Sequence, residues 1–275
     1  MKIALAQVRC SLADKEENVK RMEKVMKRTK ADLFVFPETY LTGYMCRDRF
    51  FPLAERTDGR SVKRIVRIVK ERECGVVFGM AVEDEDLPGI LRNSAVYVSE
   101  KGEVDRYDKM FLANFGPFEE ELYFAPGKGP VMFDVQGHRV GAVICFDVFF
   151  PELTKAYALA GAEVVACISA SPSTSRPFFE ALVPARAIEN TIYMVYVNQV
   201  GTQLNQVYFG GSGAVGPRGE TLVKNKCYEE DVTVIETDPA QLEVARRFRP
   251  TVSDTLARMK IDMDPLRNRS KAAVD

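Results

Sequence analysis

The twelve residues from Gly141 to Glu152, GAVICFDVFFPE, contain the feature around which the rest of the chain is arranged. Small and β-branched residues lead up to Cys145, and Pro151 then begins a helical pattern. This order predicts a buried strand, a tight turn and a helix, with Cys145 at the turn. Backbone N–H groups at a turn and a helix start can stabilise developing negative charge. We therefore expect Cys145 to be a nucleophile, and it needs a base because a free thiol is only a few per cent ionised at neutral pH.

The composition is that of an ordinary soluble enzyme, and it narrows the choice of base. The 275 residues are 46% hydrophobic and 28% charged, and a net charge of −1 gives no reason to expect a nucleic-acid or membrane partner. No apolar run approaches the ~20 residues of a membrane span. The six cysteines form no CxxC pair, and in a chain of this size we expect them to be reduced, which favours a cytoplasmic location. The single histidine, His138, follows Gly137 in a predicted hairpin turn, where we expect it to be solvated. A base must therefore come from Glu, Asp, Lys or Tyr.

The first part of the chain has the strand, helix, strand order of an α/β sheet. The patterns predict a strand at 2–8, an amphipathic helix at 15–29 and a short buried strand at 32–36. Glu38 follows that second strand, and binding sites in α/β sheets lie beyond the carboxyl ends of the strands. Position alone leaves Glu38 evenly balanced between a site residue and an exposed loop carboxylate.

Apolar and alternating patterns predict the remaining strands and helices. Strands are expected at 76–80, 93–98, 103–107, 131–135, 138–144, 163–168, 192–197 and 231–236, and helices at 61–72, 151–160, 176–190 and 238–247. Lys109 comes where one of these strands ends, although a surface position is the usual fate of a lysine. Ser171 lies in a polar turn after another strand, at the same edge of the sheet as Glu38 and Cys145. We predict one domain, 1–248, followed by a charged C-terminal arm, 249–275, that is packed on a partner or disordered.

Glu38, Lys109 and Cys145 each follow a predicted strand, and their combination is much more specific than any one of them alone. They lie in the segments FPETYLTGY (36–44), YDK (107–109) and ICFDVFFPE (144–152). In this order and at these separations, the segments resemble the nitrilase superfamily of carbon–nitrogen hydrolases, which use a Glu-Lys-Cys triad. The resemblance covers about residues 2–240. It implies that Glu38 is the general base and that Cys145 forms a thioester. Lys109 would stabilise the oxyanion together with the backbone N–H that follows Cys145.

The resemblance also implies a second glutamate, a fold and an assembly. The segment FEEELYFAPG (118–127) looks like the family's second-glutamate region, and its register favours Glu120, with Glu119 and Glu121 as alternatives. The fold implied is α/β, the four-layer α-β-β-α sandwich of the superfamily. Members pair through helices, so we expect a homodimer or a higher even oligomer. The helix after the nucleophile and the 176–190 helix are the interface candidates, and the arm is expected to cross to the partner. We expect no cofactor and no metal.

The residues around the nucleophile bear on which carbon–nitrogen bond is cleaved. The segments ASP (170–172), YVNQVG (196–201) and FGGS (209–212) look most like the glutaminase domain of NAD synthetases. That branch, however, has a Glu directly after the catalytic Cys, where this chain has Phe146. Without that Glu, a free α-amino group would lose its counter-charge. We expect the oxyanion and substrate pocket to contain Phe146, Ser171, Tyr44 and Phe115. The phenylalanines at 149 and 150 fit either this pocket or ordinary core. The prediction is an amidase that hydrolyses a small aliphatic or aromatic amide to acid and ammonia.

Other reactions stay open at this point. A nitrilase, an N-carbamoyl amidohydrolase or a stand-alone glutaminase is the first alternative. An amine in place of water at the thioester would make the protein an acyltransferase. A non-catalytic binding member of the fold belongs to a different class of function. The intact triad argues against that last reading, because a site that has lost its activity has no chemical reason to keep all three residue types.

Overall fold

Two six-stranded mixed sheets lie face to face at the centre of the protein. The computed structural model describes residues 1–259. From edge to edge, the first sheet contains β14 (Asp231–Glu236), β1 (Lys2–Gln7), β2 (Leu33–Val35), β3 (Gly75–Glu83), β4 (Leu91–Val98) and β5 (Val104–Asp108). The second contains β13 (Thr221–Lys224), β12 (Gly213–Val215), β9 (Tyr193–Asn198), β8 (Val164–Ser169), β7 (His138–Ile144) and β6 (Met132–Val135). A separate hairpin is formed by β10 (Val200–Gln203) and β11 (Gln206–Phe209). In each sheet the three central strands are parallel, so their carboxyl ends meet at one edge.

The helices form the two outer layers. They are α1 (Lys15–Arg28), α2 (Phe50–Leu53), α3 (Arg60–Arg72), α4 (Pro151–Leu159), α5 (Arg176–Asn190), α6 (Pro239–Phe248) and α7 (Thr251–Arg258). Alternation along β2 shows the layering: Phe34 packs in the cluster made with α1 and α3, whereas Leu33 and Val35 pack in the cluster shared with the second sheet. On the far side, Tyr157 of α4 packs in that same shared cluster. The order helix, sheet, sheet, helix confirms the predicted four-layer α-β-β-α sandwich.

A glycine lets α4 lie close to the strand that leads to Cys145. A Cβ added at Gly141 in β7 would lie 2.6 Å from a ring carbon of Tyr157, which real Cβ atoms do not approach. The Tyr157 hydroxyl donates a hydrogen bond to the Ala142 carbonyl at 2.7 Å. The ring therefore lies directly against β7, and this contact fixes the helix that follows the nucleophile's turn.

Most predicted elements are present, and their observed ends differ from the predicted ends by a few residues. The strand β14 lies at the predicted positions 231–236. The short elements α2, β13 and α7 were not predicted. The strands β10, β11 and β12 lie within 198–219, a segment whose Gly, Asn and Gln content is consistent with strands joined by tight turns. The hairpin before β7 is confirmed, with positive φ at Gln136 and Gly137. His138, however, is not a solvated turn residue. It is the first residue of β7 and half-buried, and its Nδ1 lies 2.8 Å from Glu163 Oε2, because the two-residue turn places it already inside the ladder.

The first residues of the predicted C-terminal arm form the helix α7, and the packing of the arm on a partner stays a prediction. Pro250 directly precedes α7, and a proline at the start of a helix costs no hydrogen bond. Val252 of α7 packs against Leu159 of this chain's own α4. The rest of the predicted arm, 260–275, lies outside the described residues. Within residues 1–259, no helix is long and apolar enough to span a membrane.

Candidate active site

Glu38 lies beyond the end of β2 and is completely buried. Its backbone can rest directly on β3 because residue 79 is glycine: a Cβ there would lie 2.1 Å from the Thr39 nitrogen. The Glu38 carboxylate accepts hydrogen bonds from Asn93 Nδ2 and from the Ala170 backbone N–H, both at 2.8 Å. The second of these donors follows β8 of the other sheet, so Glu38 lies where the carboxyl ends of the parallel strands of the two sheets meet.

Lys109 follows β5, and its side chain is fully buried, unlike that of an ordinary surface lysine. Its Nζ lies 2.8 Å from Glu38 Oε1 and 2.7 Å from Glu120 Oε1. Burial by itself lowers the pKa of the ammonium, but the charges of Glu120 and Glu38 outweigh this effect and hold the Lys109 pKa well above its usual range. The group is therefore a fixed positive charge between two carboxylates.

Glu120 is the member of the acidic run that turns inward. It begins a short 3₁₀ turn and is 3% exposed, whereas Glu119 and Glu121 are exposed. Its carboxylate accepts hydrogen bonds from the Tyr44 hydroxyl at 2.6 Å and from the Ala113 backbone N–H at 3.0 Å. Burial raises the pKa of this carboxyl. The structure thus places Glu120, the residue favoured by the register, next to the lysine.

Cys145 begins a short 3₁₀ turn, Cys145–Phe149, directly after β7, and its φ of +49° lies in the left-handed region. Its Sγ lies 3.3 Å from Ser171 Oγ. Burial raises the pKa of the thiol well above its usual value, the negative charge of Glu38 raises it further, and the positive charge of Lys109 opposes both effects. The resting thiol is therefore protonated at neutral pH and needs a base to become a nucleophile.

Sequence reasoning missed several polar residues that hold this cluster. Asn93 in β4 donates to Glu38, and the available signal was a polar Asn at the first position of the predicted strand 93–98. Asn198 at the end of β9 binds both backbone groups of Ser171: it accepts from the N–H at 2.8 Å and donates to the carbonyl at 3.1 Å. Asp147, two residues after the nucleophile, is fully buried. Within residues 1–259, no group of three or more His, Cys, Asp or Glu side chains could hold a metal ion.

A cavity of about 200 Å³ lies next to this cluster, and Cys145 and Glu120 are among the residues that line it. All four predicted pocket residues line it: Phe146, Ser171, Tyr44 and Phe115. The phenylalanine rings among its lining residues are Phe115, Phe118, Phe146, Phe149, Phe178 and Phe179. These rings touch in a continuous row, with centroids 4.9 to 6.1 Å apart. Phe150, considered for the pocket, is not among the lining residues and stacks on Phe111 instead.

The comparison with protein families agrees with this site. The family model described as "Carbon-nitrogen hydrolase" matches residues 2–247. The chain belongs to the carbon–nitrogen hydrolase family. This carbon–nitrogen hydrolase is 34% identical over 250 residues to an (R)-stereoselective amidase from a Pseudomonas species, covering 90% of this chain and 88% of the relative. It is 32% identical over 245 residues to a nitrilase from Pyrococcus abyssi, covering 86% and 90%.

Two further comparisons concern the branch and the fold. This carbon–nitrogen hydrolase is 31% identical to a glutamine-dependent NAD(+) synthetase from Aquifex aeolicus over 86% of this chain, but it spans only 42% of the synthetase. The crystal structure of an amidase from Nesterenkonia sp. superposes with a TM-score of 0.78 at 29% identity, covering 90% of this chain and 96% of that one. Membership of the nitrilase superfamily and the similarity to NAD synthetases, both inferred from the sequence, are confirmed. Nitrilase and amidase relatives have nearly equal identity, so similarity alone does not choose between their reactions.

Proposed function

We propose that this carbon–nitrogen hydrolase is an amidase that cleaves a small, uncharged amide to acid and ammonia through a thioester on Cys145. One observation carries the proposal: a fully buried ammonium, Lys109, bridges two carboxylates next to a thiol that faces an apolar cavity. Burying three ionisable side chains is costly unless they pair, and here each has a charged partner. Such an arrangement is expected where proton transfer is needed.

The acylation step follows from the charges of the cluster. As the sulfur of Cys145 bonds to the amide carbon, its proton passes to the Glu38 carboxylate, directly or through one water molecule. The C=O π bond opens, and negative charge develops on the oxygen of the tetrahedral species. The Lys109 ammonium and the backbone N–H of Phe146 are the donors proposed to stabilise it. When the C–N bond breaks, the nitrogen takes the proton from Glu38 and leaves as ammonia.

Hydrolysis of the thioester again uses the Glu38 carboxylate as the base, with water in place of the thiol as the nucleophile. A water molecule gives a proton to the carboxylate and adds to the thioester carbon, and collapse of the second tetrahedral species releases the acid. The sulfur leaves as thiolate and recovers the proton. Glu120 is proposed to keep the Lys109 ammonium in place, because it holds Nζ at 2.7 Å while the Tyr44 hydroxyl fixes its own position.

The residues that line the cavity favour a substrate with an uncharged acyl group. Among the described residues that line it, Glu120 is the only Asp, Glu, Lys, Arg or His, and it is already paired with Lys109. The α-carboxylate of glutamine would find no free cation there, and its α-ammonium group would lie among phenylalanine rings. An unpaired buried charge costs several kcal/mol, so we expect glutamine to be a poor substrate. The even-numbered oligomer and the cytoplasmic location stay predictions from the sequence.

Ammonia release from a substrate panel tests the proposal. The panel contains propionamide, benzamide, the matching nitriles, an N-carbamoyl amino acid and glutamine. We expect the highest kcat/KM for the apolar amides, no activity for Cys145→Ala, and native activity for Cys227→Ala, which changes a half-buried cysteine outside the cavity. Full activity of Cys145→Ala would overturn the mechanism. Preference for glutamine would overturn the substrate class, and preference for nitriles would move the protein to the alternative suggested by the nitrilase relative.

A further inference from the structure

Asp147 is a buried carboxylate that the proposed reaction does not use. It is the third residue of the nucleophile's turn and has no exposed surface. Its Oδ2 accepts hydrogen bonds from the Ile144 backbone N–H at 2.9 Å and from the Tyr107 hydroxyl at 2.7 Å. Its Oδ1 accepts a hydrogen bond from the Phe111 backbone N–H at 2.9 Å. Three donors from two separate segments therefore converge on one carboxylate.

The positions of these donors relate Asp147 to the proposed catalytic groups. Ile144 directly precedes Cys145. Tyr107 and Phe111 lie two residues before and two residues after Lys109. The carboxylate thus ties the backbone at the nucleophile to the backbone on both sides of the lysine.

The turn at Cys145 needs such support. A φ of +49° is unfavourable for any residue with a Cβ, and glycine is the residue that adopts it readily. A nucleophile cannot be glycine, so the strained conformation must be held by its surroundings. Asp147 does this by reaching back to the Ile144 N–H, which closes the turn around Cys145.

We propose that Asp147 is a positioning residue that holds the Cys145 turn in register with the Lys109 segment. The proposal rests on the proposed roles of Cys145 and Lys109. It depends on a property of the carboxylate: both of its oxygens accept, so it can bind donors that approach from two sides. An Asn of the same size has only one accepting oxygen, and its NH₂ group would face a backbone N–H or a hydroxyl donor. Asp147→Asn therefore breaks one side of the connection with almost no change in volume.

The main test measures Asp147→Asn at pH 8 by steady-state kinetics and by alkylation of Cys145 with iodoacetamide, followed by mass spectrometry of the Cys145 peptide. A displacement of about 1 Å at a reacting group costs on the order of 100-fold in rate. We expect kcat to fall by that factor with KM changed less than about three-fold, and the alkylation rate to fall at least tenfold on the same principle. Asp134→Asn is the matched control, because this exposed carboxylate does not line the cavity and accepts a hydrogen bond from the Gly137 backbone N–H at 2.8 Å.

A second variant decides the matter if Asp147→Asn does not fold. Tyr107→Phe removes one of the three donors and leaves both backbone donors, so we expect an intermediate fall in kcat and in alkylation rate, without a change in KM. Native values of both rates in either folded variant would contradict the proposal. A purely structural role would lower the folded fraction but leave kcat and alkylation per folded molecule unchanged. Alkylation needs no substrate, so it tests Asp147 even if the proposed amidase reaction is wrong.

Discussion

Replacing Lys109 with methionine is the most informative perturbation of the buried cluster. Methionine is similar in length and apolar, so the change removes the ammonium while it largely fills the space. Lys109 Nζ lies within 2.8 Å of one carboxylate and 2.7 Å of another, and the side chains of Lys109 and Glu38 are 0% exposed. Without the lysine, Glu38 and Glu120 face each other with no cation between them.

The expected loss of folding stability in Lys109→Met follows from the burial of the ion pairs. Removing one partner of a buried ion pair costs about 3–5 kcal/mol, because the remaining charge stays desolvated. For a domain of this size each kcal/mol lowers Tm by about 2–4 °C, so we expect a fall of roughly 6–20 °C. The Lys109 charge also lowers the pKa of Glu120, so its removal raises that pKa further. A pKa raised in the folded state stabilises the fold at low pH, and this stabilisation is lost as pH rises. The variant should therefore lose more stability at pH 8 than at pH 5.

Urea unfolding of native protein, Lys109→Met and Lys27→Met measures this difference. Lys27→Met is the matched control: its Nζ lies 2.6 Å from Glu23 Oε1, but its side chain is 58% exposed. We expect the control to lose less than about 1 kcal/mol. Equal losses of stability in the two variants would refute the reasoning, because the pairs differ in burial and hardly in distance.

Three further predictions concern single residues of the site. Phe146→Glu should lower kcat/KM for benzamide at least tenfold in the ammonia assay, because a carboxylate in a hydrophobic pocket weakens the binding of an apolar group by more than ~1.4 kcal/mol. An unchanged kcat/KM would contradict the apolar pocket. Burial raises the pKa of Asp147 from 3.8 to about 6, so the folded state binds more protons and this contribution to stability falls by about 3 kcal/mol as pH rises from about 4 to 6. In urea unfolding, Asp147→Asn should remove this dependence of stability on pH. A pH dependence that persists in the variant would show that another group causes it. Glu120→Gln should lower kcat about 100-fold, because the Lys109 ammonium loses the carboxylate that holds it in position. The exposed Glu121→Gln should keep the native kcat, and equal kcat values in the two variants would remove Glu120 from the site.

Much of this site could be predicted for two reasons: its residues follow strand ends, and the segments that contain them resemble the nitrilase superfamily. Glu38, Lys109 and Cys145 come after β2, β5 and β7, and parallel strands bring such positions to one edge of a sheet. Ser171 after β8 follows the same rule. The fold was predictable for a related reason: the alternation of helical and buried-strand patterns is strong in the long elements.

Features that depend on tertiary contacts could not be read from local patterns. The complete burial of Lys109 depends on two carboxylates from distant parts of the chain, 71 and 11 residues away in sequence. Phe118 reaches the cavity from a loop and Phe178 from the first turn of α5, and no periodicity encodes where either side chain meets the other lining residues. The helix α7 begins at a proline-containing turn, and the same proline is compatible with the end of one helix and the start of another.

The acyl-enzyme itself tests the central claim most directly. Native protein is mixed with benzamide at pH 8, quenched with acid within milliseconds to seconds, digested and examined by mass spectrometry. The account predicts a benzoyl group on the Cys145 peptide that hydroxylamine removes, and none on Cys145→Ala. Turnover of benzamide by Cys145→Ala, or a benzoyl group carried by another residue, would contradict it.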